Sequence, residues 1–293
     1  MTLMAEPAPL PPSTQEGKIV PILAGGGTRL PAHVGILTGL NELGLSFTSI
    51  VGVSGGSIVA ALYALGKSVS ELKKLVLAVD FQQFKGQSLM NLIRSGGLSN
   101  GSIFEKWLDN ELGGVYFKDL TVDLHIVATD VVTSQPVIFN AQTTPDLKVS
   151  KAVLFSISIP LIFSFQHFDQ HILVDGSILS EDALYRDWAG DGTPVVCFRL
   201  RSQTYHKKIS SNPSFLPIKD YLSMLIRTFM TTLSREYIND SFWQSTVIVN
   251  TGSYSPVEFN LTNDDKICLF QMGYKTVMDI VPLKLHQTAN SHP

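Results

Sequence analysis

The run Gly52-Val53-Ser54-Gly55-Gly56 sets a serine between glycines at G-x-S-x-G spacing. Such a pattern lets a strand turn sharply into a helix and projects the serine from the bend. Small residues are needed because the backbone closes on itself there, and the positive end of the following helix favours an alkoxide. The chemistry suggested is nucleophilic acyl transfer. A glycine-rich turn with no chemical role is the other reading of the same residues.

A second cluster, Gly25-Gly26-Gly27-Thr28-Arg29, lies upstream. Glycines after a strand can leave several backbone N–H groups pointing into one concavity, which suits an anion. A dinucleotide fingerprint would need a glycine where Leu30 stands, and the Gly-Lys-Ser/Thr ending of a P-loop is absent. An oxyanion hole built from Gly25, Gly26, Gly27 and Thr28 fits better, with a nucleophile on the next strand.

A serine nucleophile needs a base. Seven histidines are present, and none occupies the late loop that a Ser–Asp–His order requires. His33, His125, His167 and His171 read as packing or surface residues. Asp175, at a strand end before Gly176, is the better candidate, because a carboxylate within hydrogen-bond reach can take the serine proton.

These side chains need elements to hold them. A strand at about Lys18–Ala24 precedes the glycines, and a helix starts near Pro31, with Ile36, Leu37, Leu40 and Leu43 at helical spacing. A strand at Ser49–Val53 leads through Ser54 into another helix. Two strand–turn–helix units in succession predict an α/β fold with a mostly parallel central sheet and helices on both faces. Further helices are expected at Ser70–Val79, Ser102–Glu111, Leu147–Phe155, Ile218–Asn239 and Asp264–Ile280. Further strands are expected at Leu124–Thr129, Val137–Asn140, His171–Val174, Val195–Leu200 and Val247–Asn250. Phe81–Asn100 is patterned irregularly, as a mobile cover would be.

Composition limits the function classes. Charged residues make up 16% against 44% hydrophobic, well below the roughly 25% charge of soluble proteins, which implies extensive burial, some exposed apolar surface, or both. A net charge of −3 without long cationic runs argues against a nucleic-acid polymer as partner. Leu43–Gly66 carries no charge and is long enough to span a bilayer, but its glycines and serines mark a strand, a turn and a helix instead. Cys197 and Cys268 offer no zinc spacing and read as two reduced thiols. The domain is expected over residues 18–285, with 201–285 divergent, a proline-rich tail over 1–17 and a second tail over 286–293. Residues 1–17 lack the features of a secretory signal, so the expected location is cytoplasmic, peripheral at membranes.

The two glycine motifs, their order and Asp175 resemble the patatin-like phospholipase family, related to cytosolic phospholipase A2. The family carries a G-G-G-x-R/K-G oxyanion loop, a serine in G-x-S-x-G and an aspartate in D-G-G/A. Gly25, Gly26, Gly27 and Arg29 fall on the loop, Ser54 and Asp175 on the dyad. Val127-Ala128-Thr129-Asp130 is similar to the A-T-D strand in the middle of the family pattern. Ser156–Phe163 is similar to its A-S-x-A-x-P-x-x-F segment, and Gly97-Leu98 to Trp107-Leu108 to a further helix start. Leu30 departs from the loop's usual glycine and Ser177 from the residue after Asp-Gly. Residues 201–293 match nothing in the family pattern.

The resemblance implies a three-layer fold and hydrolysis of phospholipid or lysophospholipid esters through an acyl-enzyme, with no metal or cofactor. Arg29 is expected to attract the lipid phosphate or to anchor the loop by an ion pair. Phe81–Ile93 is the expected lid, with transient contact to a membrane surface. Bacterial members of similar compactness act as cyclic-nucleotide-activated antiphage effectors, and Lys207-Lys208, Arg227 and Arg235 could serve such an activator. The competing reading is a non-catalytic lipid- or nucleotide-binding protein on the same fold.

Overall fold

The computed structural model describes residues 17–86, 88–178, 184–202 and 245–289, together with Tyr221, Met224, Leu225 and Thr228. Most of the helix expected at Ile218–Asn239 lies outside the described residues. So do Lys207, Lys208, Arg227 and Arg235.

Chain order alternates strand and helix: β1 (Val20–Ala24), α1 (Leu30–Glu42), β2 (Ser49–Val53), α2 (Gly55–Ala64) and α3 (Val69–Ala78). A short 3-10 turn at Phe81–Phe84 leads to α4 (Leu89–Ser95), β3 (Gly97–Ser99), α5 (Ser102–Leu112), β4 (Asp123–Asp130), β5 (Gln135–Phe139) and α6 (Val149–Ser156). Three short strands follow: β6 (Leu161–Phe163), β7 (Gln166–Phe168) and β8 (His171–Val174). Then come β9 (Val195–Arg201), β10 (Thr246–Asn250) and α7 (Asn263–Ala289). The main sheet runs β10-β9-β1-β2-β4-β8-β7, with β5 also paired to β4. Its five strands from β10 to β4 are parallel, while β5, β7 and β8 run antiparallel to their neighbours. Every residue of β1 and β2 is buried, as expected of inner parallel strands covered on both faces.

The register of β4 explains how distant residues converge. β2 pairs with β4 up to Val53↔Val127, and β8 pairs in the opposite direction with Thr129 and Asp130. β5 occupies the other edge of β4 along Ile126–Asp130, so β2 and β8 must share one edge, end to end. Their C-terminal ends therefore point at each other across Ala128. The next residues of those strands are Ser54 and Asp175.

Alternating side chains split the core. Leu23, Ile50, Ile126 and Phe198 join helices α1, α2, α3, α5, α6 and α7 in the large cluster, while Ile22, Val51, Val53, Val127 and Cys197 form a smaller one with Trp188. α7 lies close on α1: a Cβ at Gly35 would stand 2.1 Å from the Phe270 carbonyl oxygen, so only glycine permits that approach. The expected strands and helices of the described residues are present within a few residues. The last helix, expected to end at Ile280, runs on to Ala289 with Pro282 inside it. β6 and β7 are unanticipated; at three residues each they are too short for strand alternation to show. Cys197 and Cys268 are both free thiols.

Candidate active site

Ser54 sits at the turn between β2 and α2 with φ 53° and ψ −132°, a backbone region that costs a non-glycine residue about 1–3 kcal/mol. The neighbours explain how it is held. A Cβ at Gly56 would lie 2.0 Å from the Leu23 carbonyl oxygen, so the helix start can press onto β1 only with glycine there. The Ser54 amide donates to Ser156 Oγ at 2.9 Å, and that hydroxyl donates onward to the Val127 carbonyl at 2.6 Å. Ser156 thereby pins the turn to the end of β4.

The Ser54 hydroxyl donates to Asp175 Oδ2 at 2.6 Å. The other carboxylate oxygen accepts the Ser177 amide at 2.8 Å. The Asp175 backbone is fixed at both ends, its amide donating to Ser158 O at 3.0 Å and its carbonyl accepting from Thr129 Oγ1 at 3.0 Å. Asp175 is fully buried. That burial pushes its carboxyl up to about 6, against the lowering effect of the Ser54 and Ser177 hydrogen bonds. A carboxyl of that kind is largely ionised at pH 7 and basic enough to accept a proton.

The glycine loop divides its amides. Gly25 donates to Val53 O at 3.1 Å, and Thr28 donates to Pro256 O at 2.9 Å. Both N–H groups are thus committed, which corrects the expectation that Gly25 and Thr28 contribute amides to an anion site. The Gly26 and Gly27 amides make no backbone hydrogen bond among the described residues. Gly27 borders the same cavity as Ser54 and Gly55. His33 supports the loop from beneath, its Nε2–H donating to Gly25 O at 3.0 Å. Burial lowers its pKa to about 4, so the ring is neutral at pH 7.

Arg29 also differs from expectation. It is fully buried and borders no part of the cavity. Its Nε donates to Gly26 O at 3.0 Å and its Nη1 to Thr251 Oγ1 at 2.6 Å, while Nη2 has no partner among the described residues. Desolvation lowers its pKa to about 9. It neither faces a lipid phosphate nor forms an ion pair among the described residues; it anchors the loop through neutral oxygens. The segment at Thr251–Phe259, silent in sequence, completes that anchorage. Thr28 Oγ1 donates to Glu258 O at 2.8 Å, and a Cβ on Gly27, at φ +54°, would fall 1.9 Å from Pro256 O.

Above the serine lies a strongly apolar cavity lined by Leu30, Ile58, Phe81, Phe84, Phe104, Trp107, Ile157, Ile159, Phe163, Val257 and Phe259, with Ser54 at its wall. Asp175 does not border it and is reached only through the serine. Leu30, the departure in the glycine loop, is the first residue of α1 and part of this wall. The arrangement can bind an aliphatic tail and present an ester carbonyl to a hydroxyl already hydrogen-bonded to a carboxylate. Asp130 lies elsewhere, its carboxyl held well below the usual range first by His171 at 3.0 Å and then by Thr133 and two backbone amides. It braces the β4–β8 junction.

Comparison with known proteins bears on the family and the fold. A model described as "Patatin-like phospholipase" matches residues 22–184, more than half of the chain. An uncharacterized protein of Acanthamoeba polyphaga mimivirus is 26% identical over 273 residues, covering 87% of this chain and 91% of that protein. An uncharacterized NTE family protein of Mycobacterium tuberculosis is 28% identical over 185 residues, which is 61% of this chain but only 30% of that longer protein. A protein of Invertebrate iridescent virus 6 named "probable lipid hydrolase" is 24% identical over 54% of this chain and 59% of its own length. Among solved structures, VipD from Legionella pneumophila superposes with a TM-score of 0.67 at 13% identity, over 97% of this chain and 71% of that one. ExoU of Pseudomonas aeruginosa, in complex with SpcU, superposes with a TM-score of 0.52 at 20% identity, over 96% of this chain and 53% of that one. At such identities these two likenesses show the fold alone. With the family match over residues 22–184 and the strand–turn–helix frame that carries both glycine motifs, the chain belongs to the patatin-like phospholipase family.

Proposed function

We propose that this protein is a lipid acyl hydrolase of phospholipase A or lysophospholipase type, acting through Ser54 and Asp175. The observation that carries the reading is the 2.6 Å hydrogen bond from Ser54 to a fully buried carboxylate, at the wall of an apolar cavity. A core built for stability alone gains little from an unpaired carboxylate, since desolvating a charge is costly. The same cost raises its basicity toward the serine proton.

In the proposed reaction the acyl group lies along the aromatic wall with its ester carbonyl beside Ser54. Asp175 takes the hydroxyl proton as Ser54 Oγ attacks the carbonyl carbon. The tetrahedral oxyanion is stabilised by the uncommitted amides of Gly26 and Gly27, aided by the N-terminal end of α2. Collapse expels the alcohol, lysolipid or glycerol derivative, which leaves with the proton held by Asp175. A water then gives its proton to Asp175 and attacks the acyl-enzyme, and fatty acid departs as Ser54 recovers its proton. Every step uses groups of this protein and water.

Mass spectrometry of lipid products from wild type and Ser54→Ala, incubated with mixed phospholipid and lysophospholipid, tests the proposal. Free fatty acid with its matching deacylated lipid, formed by wild type alone, is the expected result. Equal product from both proteins would remove Ser54 from the chemistry.

A further inference from the structure

We propose that Ser177 is a positioning residue for Asp175: its hydroxyl, unbonded in the resting site, turns onto the carboxylate when Ser54 is acylated and can no longer donate to it. This role rests on the proposed dyad and extends it to the second half of the reaction. Ser177 Oγ is buried and has no hydrogen-bond partner among the described residues. Two other turns of the chain share its pattern of an Asp or Asn, a glycine and a hydroxyl residue. In Asp191-Gly192-Thr193, Asp191 Oδ1 accepts the Thr193 amide at 3.0 Å and the Thr193 hydroxyl at 2.6 Å. In Asn100-Gly101-Ser102, Asn100 Oδ1 accepts the Ser102 amide at 3.0 Å and the Ser102 hydroxyl at 2.8 Å. In Asp175-Gly176-Ser177, Asp175 Oδ1 accepts the amide alone, at 2.8 Å. The first two turns are exposed, where water can satisfy a free hydroxyl; the third hydroxyl is buried, where an unmade bond is costly. Of the three, the turn least able to tolerate a free hydroxyl is the one that keeps it.

The side chain is also the part of this turn that can move. A Cβ on Gly176 would lie 2.2 Å from Val127 O, so the backbone is pressed onto β4 and fixed there. Room lies on the side of Gly25. A Cβ built at Gly25 would meet Ser177 Oγ at 3.7 Å and, beyond its chain neighbours, no other heavy atom of the described residues within 4 Å.

Acylation creates the need for a second donor. Ser54 Oγ donates to Asp175 Oδ2, and as an ester oxygen it has no proton to give. In deacylation, water attacks the ester carbonyl and passes its proton to Asp175, and that proton returns to Ser54 Oγ as the fatty acid leaves. The carboxylate must stay ionised until the water arrives, and a donor to the charged form keeps it so. In the resting site burial raises the Asp175 carboxyl, while the Ser54 hydroxyl, the Ser177 amide and the Ser177 hydroxyl lower it, in that order. Titratable groups on the surrounding elements are engaged elsewhere: Arg29 with Gly26 and Thr251, His33 with Gly25, Asp130 with His171, His125 with Asp123, and Lys151 with Glu105.

The test is rapid-quench mass spectrometry of the full-length protein mixed with p-nitrophenyl butyrate from pH 4.5 to 8. It reads the formation and the decay of butyryl-Ser54 separately in wild type, Ser177→Ala and Ser177→Thr. In Ser177→Ala the acidic limb of decay is expected to rise by about 0.5–1 pH unit, the worth of one hydrogen bond to the carboxylate. Decay at pH 5 then slows about three- to tenfold. The limb of formation, during which Ser54 still donates to Asp175, should move much less. Ser177→Thr keeps the hydroxyl and should keep the wild-type limb. A packing defect alone would lower the rates at every pH without moving the limb. A decay limb unmoved in Ser177→Ala, moved no further than that of formation, or moved as far in Ser177→Thr, overturns the inference while the dyad stands. No butyryl-Ser54 in wild type would overturn the dyad and this role with it.

Discussion

At the scale of the single residue, the proposed chemistry reduces to one carboxylate kept dry behind one hydroxyl. Because Asp175 is raised from 3.8 to about 6 by burial, activity should rise tenfold per pH unit below about 6 and level off above it. Initial rates on a short-chain soluble ester from pH 4.5 to 8 would show this limb, and a rate flat across that range would contradict it. The same shift has a stability consequence of definite sign. The native state holds the Asp175 proton more tightly than the unfolded state, so stability is full below about pH 4 and declines as pH rises through about 6. Asp175→Asn should therefore be more stable than wild type at pH 8, by on the order of 3 kcal/mol, while losing activity by about 10²–10⁴-fold. Chemical denaturation at pH 4 and pH 8 measures the difference, which should vanish at the lower pH.

Much of this scale was legible in the sequence. The two glycine motifs are local patterns, and their spacing pointed to Ser54 and the glycine loop as candidates. Asp175 was a candidate base from its place at a strand end before Gly176, and the family resemblance paired it with Ser54, 121 positions away. The division of amides was not legible, because it depends on which carbonyl stands opposite each one, and Pro256 comes from a region without a recognisable motif. The burial of Arg29 was hidden for the same reason, since Thr251 is its partner. Ser156 lay inside a quoted segment, yet its bond to the Ser54 amide spans 102 positions and leaves no periodic signal.

At the scale of the element, the strained turn at Ser54 and the end of β4 work as one unit. Ser156 bridges them, accepting from the Ser54 amide and donating to Val127. Ser156→Ala removes both bonds and leaves a buried N–H and a buried C=O unsatisfied, at about 1–3 kcal/mol. A lower denaturation midpoint together with a kcat reduced more than KM is the expected outcome. An unchanged kcat would show that the turn holds itself. On the opposite side of the serine, Gly27→Ala should abolish turnover while the protein still folds, because its Cβ would collide with Pro256 and move the loop away. Steady-state kinetics beside a circular dichroism melt would separate the two effects. The short strands β6 and β7 and the last turns of α7 were missed at this scale: three-residue strands have too few alternations to read, and Pro282 suggests a stop that helix packing overrides.

At the scale of the whole molecule, residues 251–289 close the candidate site that residues 25–177 build. α7 packs along α1, and the segment just before it supplies Pro256, Val257 and Phe259 to the glycine loop and the cavity. Gly273 fits against α1 only without a side chain, since a Cβ there would lie 2.0 Å from Ala32 O. Gly273→Val should lower stability by about 3 kcal/mol, within the range of overpacking, and reduce turnover with it, as a denaturation curve and an ester assay would record. The parallel order of β1, β2, β4 and β9 was readable from alternating strand and helix patterns. The head-to-head meeting of β2 and β8 along one edge of β4 was not, because a run of four residues does not announce its direction.

The central claim is that Ser54 is a nucleophile activated by Asp175. Intact-protein and peptide mass spectrometry after reaction with a fluorophosphonate measures it most directly, in wild type, Ser54→Ala and Asp175→Asn. One adduct is predicted on the peptide bearing Ser54, none in Ser54→Ala, and labelling slowed at least a hundredfold in Asp175→Asn. An adduct on another residue, or equal labelling of wild type and Asp175→Asn, would contradict it.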